Sequence, residues 1–223
     1  MRWTRRLPAS GPLVTAAMRA VPWPTVAGTT GIALLVGSVA LAVGAAAARP
    51  LLMVSFALLA AASAFTLDEP ADVVTDVTPT SRRAQTMARS PALVVPLVGG
   101  LVVVAATAAR PSDLPTTGVL VALVGNVLLG FAVASVLRRR SGEPGLGAAT
   151  VTVLFLVIGP SLPVLNRVVY TFPSPPASSS DQPSNAFWLV LGTMSVDALQ
   201  LSTSRQSSIR VSLFERFTAT DRS

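Results

Sequence analysis

Long apolar runs divide the chain into six stretches, about 26–47, 51–65, 91–109, 117–137, 147–165 and 186–201, with shorter polar segments between them. A helix of ~20 apolar residues spans a hydrocarbon layer of ~30 Å. The pattern therefore predicts an all-α fold, a polytopic membrane helix bundle of about six transmembrane helices. The first stretch, Val26–Ala47, is rich in glycine, alanine and valine, and Arg49-Pro50 reads as a tight turn after it. The second, Leu51–Phe65, is short. The third ends at Arg110-Pro111, and the fourth ends on Arg138-Arg139-Arg140. The sixth is the weakest, because Asp197 lies within it.

The arginines give this pattern an orientation. Six spans place both termini and two of the five connections on one face, which collects 14 of the 17 basic residues; only Arg49, Arg110 and Arg167 fall on the other. Positive loops stay cytoplasmic, so both termini are expected in the cytoplasm of a multi-pass protein of the cell membrane. The expected organisation is a cytoplasmic or interfacial segment 1–25, a transmembrane domain 26–203, and a cytoplasmic tail 204–223. Two connections are long, an inner one at 66–90 and an outer one at 167–185. The outer one, rich in serine and proline, is too polar to build a core. Met1-Arg2-Trp3-Thr4-Arg5-Arg6 resembles the start of a signal peptide, but Arg19, Pro22 and Pro24 interrupt the apolar run after it, which favours an interfacial lead-in anchored by Trp3 and Trp23. In the tail, Ile209, Leu213 and Phe217 recur every four residues, as in a surface helix.

Composition narrows the chemistry. The chain is 51% hydrophobic and 12% charged, with a net charge of +7 carried by arginine alone. The arginines edge the apolar spans, where they meet membrane lipids, and form no continuous groove for nucleic acid. With no cysteine, histidine or lysine, thiolate or histidine catalysis, histidine metal sites, and the phosphate-binding loop that ends in Gly-Lys-Ser/Thr are all excluded. No metal or cofactor is expected, and no enzyme activity; any ATP hydrolysis of that type belongs to a separate subunit.

The inner connection carries the most organised signal. Asp68 or Glu69 can cap a helix that starts at Pro70, with Asp72 and Asp76 on one face and Val73, Val74 and Val77 on the other. Thr78-Pro79 then stops it and starts a second helix, with Arg82, Thr86 and Arg89 on one face. The bland alternative is a solvated loop. Two polar residues interrupt the spans. Asn126 suits an interhelical hydrogen bond, whereas Asp197 either binds a cation or proton or sits near the inner interface. Gly159, Pro160 and Pro163 predict a kink in the fifth span. Ala40, Gly44, Gly99, Gly100, Gly118, Gly125 and Gly130 predict close helix packing.

The run Ala62-Ser63-Ala64-Phe65-Thr66-Leu67-Asp68-Glu69-Pro70-Ala71, followed by Pro79-Thr80-Ser81-Arg82-Arg83, resembles membrane subunits of ABC transporters from actinobacteria. The likeness covers the span pattern over residues 30–205 and the motif over the inner connection alone. It implies a six-span, exporter-like permease that pairs with a second copy or a paralogue and is driven by a separate ABC ATPase subunit. It further implies an ATPase-docking role for Asp68, Glu69, Asp72 and Asp76, with Arg82 and Arg83 close behind. Two readings from other classes stand beside it. One is an ion-coupled transporter or channel that works without ATP through Asp197. The other is a non-transporting membrane scaffold or assembly protein. A membrane enzyme is a distant fourth, since no pair of chemical groups stands at a convincing spacing.

Overall fold

The computed structural model describes residues 10–43, 45–68, 82–109, 116–138 and 144–158, and among them every regular element is helical. In chain order these are α1 (Ser10–Arg19), α2 (Trp23–Ala42), α3 (Ala45–Phe65), α4 (Arg82–Arg89), a 3₁₀ turn (Ser90–Leu93), α5 (Val94–Ala108), α6 (Thr116–Leu137) and α7 (Pro144–Ile158). Four segments are long and apolar enough to cross a membrane: Trp23–Ala42, Ala48–Phe65, Gln85–Ala108 and Thr116–Leu137. These correspond to the first four expected spans; α7, an apolar helix of 15 residues, covers the start of the fifth, and the sixth, at 186–201, lies outside the described residues.

Two expected boundaries move. Arg49-Pro50 is not a turn, since both residues lie inside α3. The break comes earlier, where Val43 leaves α2 in an extended conformation, φ −97° and ψ 167°. Pro50 is the sixth residue of α3; it costs the helix the one bond that its N–H would make to the carbonyl of Ala46, and α3 continues through it. As a result α3 is 21 residues long, not the short span expected. The third membrane segment also begins before Pro91. There α4 runs through the 3₁₀ turn, which carries Pro91 in its first positions, directly into α5.

The centre of the bundle is α3, which packs against α2, α5, α6 and α7. Its second half, Ala57, Leu59, Ala60, Ala61, Ala62 and Ala64, is buried almost completely. Alanine keeps the helix thin, so neighbouring backbones come close, which is how helices associate in lipid where no hydrophobic force separates protein from solvent. The neighbours reciprocate with glycine. A Cβ on Gly130 of α6 would run into the backbone carbonyl of Ala60 and into Ser63, and one on Gly100 of α5 would run into Leu123 of α6. Gly99 meets Thr30 of α2 in the same way, and Gly37 meets Val103 and Ser55.

Hydroxyl groups staple these contacts. Ser55 Oγ donates to the carbonyl of Ala33 in α2 at 2.8 Å, and Ser63 Oγ reaches the carbonyl of Val127 in α6 at 2.8 Å. The apolar side chains turned outward, such as Ile32, Leu35, Val94, Val98 and Val102, form a surface that hydrocarbon would wet without cost. Gly130→Ala is expected to destabilise the bundle by about 2 kcal/mol or more, because the added methyl meets backbone rather than a movable side chain. Gly28→Ala and Gly31→Ala, whose Cβ would meet nothing within 4 Å, are expected to be neutral or slightly stabilising. Denaturation in detergent, followed by circular dichroism, separates the two outcomes.

Candidate functional site

A group of charged and polar residues meets just after α3 ends. The last carbonyls of α3, those of Ser63, Ala64 and Phe65, accept from the backbone N–H groups of Thr66, Leu67 and Asp68, so the carbonyls in need of a donor are those of Leu67 and Asp68 in the turn that follows, where Leu67 is fully buried. The need is met from 22 residues away. Arg89, the last residue of α4, is 2% exposed, and its Nη1 donates to the carbonyl of Leu67 at 3.0 Å and, more weakly, to that of Asp68 at 3.4 Å. A cation at a helix C-terminus also complements the helix dipole. Of the three residues read onto one face of the second loop helix, Thr86 and Arg89 are both buried, so that face turns inward there.

The carboxylate of Asp68 turns to another helix. Its Oδ1 accepts a hydrogen bond from the backbone N–H of Gly145 at 2.5 Å. Pro144 opens α7 and brings no amide, so Gly145 supplies the donor, and a carboxylate there suits the positive end of the helix. The capping role read for Asp68 from the sequence was toward a helix at Pro70, whereas the helix it caps among the described residues is α7. Arg138, at the end of α6 and 6% exposed, completes the group with a long contact from Nη2 to Gln85 Oε1 at 3.4 Å. Four segments remote in sequence, at 67–68, 85–89, 138 and 145, thus meet at one end of the bundle. The same end receives α1, which packs on α4, and the indole of Trp23 closes the corner by donating from Nε1 to the carbonyl of Met18 at 2.9 Å.

Of the residues singled out from the sequence, Asp68 lies in this cluster, and Arg82 and Arg83 open α4, which carries the cluster's arginine. Of Arg82 and Arg83 only the helical position is described. Glu69, Asp72, Asp76, Asp197, Gly159, Pro160 and Pro163 lie outside the described residues. Asn126 is 3% exposed within α6, and its Nδ2 donates to the carbonyl of Ala122 in its own helix at 2.7 Å, where an interhelical bond was expected. Gln85, Arg89, Arg138 and Gly145 were not singled out as site residues. A signal for Gly145 was present in Glu143-Pro144-Gly145, a helix start without a favoured capping residue of its own. Among the described residues no group of acidic, histidine or cysteine side chains could hold a metal ion.

No protein-family model, curated protein or solved structure matches the chain significantly.

Arg89→Met is expected to lower stability by about 1–3 kcal/mol, the cost of leaving buried carbonyls without a donor. Arg89→Lys should recover only part of the loss, because its ammonium is more strongly hydrated and sits on a shorter side chain than the Nη1 that serves both carbonyls. Thermal unfolding in detergent gives both values.

Proposed function

We propose that the chain is the membrane-spanning permease subunit of an ABC transporter, exporting a substrate with energy from a separate ATPase subunit. In this reading it spans the cell membrane six times, with both termini in the cytoplasm, and it works beside a second copy or a paralogue. The observation that carries the proposal is the way both ends of the 69–81 connection are tied to the bundle. The connection leaves at Asp68 and returns at Arg82, and Arg89 joins the returning helix to the carbonyls of Leu67 and Asp68. A pull on this connection acts at once on α3 and α4, and through Asp68 on α7. An energy-supplying partner needs such a handle, because it can shift the equilibrium between two helix packings only through contacts that differ between them.

Two further features support it. The connection holds Glu69, Asp72 and Asp76 ahead of Arg82 and Arg83, charges suited to a protein surface rather than to lipid. The chain has no lysine with which to build its own phosphate-binding loop, so the work of nucleotide hydrolysis falls to a partner. The four apolar helices support the membrane location, and the arginine bias supports the orientation.

The test is purification from the native membrane in mild detergent, with identification of what accompanies the chain and an assay of ATP hydrolysis. An ATPase subunit is expected in stoichiometric amount, and Asp72→Arg with Asp76→Arg is expected to release it while the permease still inserts. Absence of any ATPase, even after crosslinking in the membrane, would overturn the reading and leave the ion-coupled transporter or the scaffold. The orientation has its own check, since the chain lacks cysteine. An impermeant maleimide should label Ser112→Cys in intact cells but Ser141→Cys only after permeabilisation, and the reverse pattern would invert the topology.

A further inference from the structure

The joint between α3 and α7 is built differently from the others around α3. Toward α2 and α6, serine hydroxyls of α3 bond the neighbouring backbone in mid-helix, through Ser55 and Ser63. Toward α7, the Asp68 carboxylate accepts from the Gly145 amide at the helix end, a contact between residues 77 apart. A Cβ on residue 145 would occupy the place of that carboxylate, so the contact depends on glycine as much as on aspartate.

Beyond this point α7 buries small side chains. Among its described side chains after Gly145, the buried ones are Ala148, Ala149 and Thr152, and the helix packs against α3 and α6. The buried half of α3 is alanine over most of its length. Small surfaces approach closely, but they lack the ridges that fix one register against another. The Thr152 hydroxyl is buried and makes no hydrogen bond in this register. Asp68 is moreover the residue from which the 69–81 connection departs, and Arg89 fixes its carbonyl from the far side of that connection.

We propose that Asp68 and Gly145 form a releasable latch. Closed, it holds the start of α7 against the end of α3. Displacement of Asp68 opens it, and α7 then shifts along the alanine face of α3 while α2, α3, α5 and α6 keep their packing. The latch is a property of this chain by itself and stands or falls independently of the ATPase.

Pairs of spin labels in the full chain, reconstituted in lipid nanodiscs without any partner, read it directly. Met87→Cys on α4 and Leu146→Cys on α7 are exposed positions that flank the latch, and Leu35→Cys on α2 with Val98→Cys on α5 is an exposed control pair. Without further change, the Met87–Leu146 pair is expected to show one main distance. Asp68→Ala, which removes the acceptor, and Gly145→Ala, which wedges the carboxylate away, should each raise the share of a second distance several-fold. Asp68→Asn, which keeps an acceptor oxygen, should stay near the unaltered distribution. The control pair should not change in any variant. An unaltered Met87–Leu146 distribution in both alanine variants would overturn the latch. So would equal broadening of both pairs, which would make Asp68 and Gly145 supports of the whole bundle rather than the holder of one helix.

Discussion

A chain that turns among apolar neighbours must find donors for its carbonyls, and the turn after α3 finds them in a single guanidinium. Arg89 reaches the carbonyls of Leu67 and Asp68, and the rest of that end follows from this contact. It fixes where α4 returns after the 69–81 connection, and so where α5 enters the bundle. It holds the backbone of Asp68, so that the carboxylate can meet Gly145 and set the start of α7. An unpaired charge or an uncapped carbonyl in such a place would cost several times the net worth of an ordinary hydrogen bond. The arginine that looks like one more positive charge in a basic loop is therefore a structural cation that the fold cannot release cheaply.

Packing imposes the complementary constraint. Because α3 touches α2, α5, α6 and α7, each neighbour needs access to the same thin cylinder, and bulky side chains on it would drive them apart. Alanine along the second half of α3 and glycine at positions 37, 99, 100 and 130 let the axes close up until serine hydroxyls reach backbone carbonyls on the next helix. Such bonds average only about 0.6 kcal/mol in membrane helices, so they act more to choose register than to supply stability. Toward α7, a bond comes at the helix end, from the Gly145 amide to the Asp68 carboxylate.

Much of the helical layout was legible in the sequence. The fourth apolar run, expected at Thr117–Leu137, is α6 at Thr116–Leu137, because length and continuous apolarity leave a membrane helix few alternatives. The glycines marked for packing at 99, 100 and 130 are points of close approach. Arg49-Pro50 misled because an arginine and a proline together read as a stop, while α3 continues through Pro50 at the cost of one bond. The polar cluster was hardly legible. Its contacts join residues 22, 53 and 77 positions apart, and no local pattern distinguishes an arginine that bonds the carbonyls of a distant turn from one that faces water. Only Thr86 and Arg89, four and seven residues after Arg82 on one helix face, hinted that this side of α4 had a purpose.

The arginine bias acquires a second meaning from this geometry. Counted along the chain, the arginines are the basis of the proposed orientation, through the positive-inside rule. Counted in the structure, they divide by burial. Arg89 and Arg138 are almost fully enclosed and work on the carbonyls and amide oxygen of neighbouring helices, while Arg19 stands exposed at the end of α1. Arginine serves both purposes because its charge persists on burial and its flat, forked head bonds several oxygens at once. A lysine at 89 would offer one compact, strongly hydrated charge to two carbonyls and would be more easily driven to lose its proton. The absence of lysine from the chain thus carries no structural penalty at this end of the bundle. The residue type on which the proposed orientation rests is also the one that bonds the carbonyls of the turn after α3.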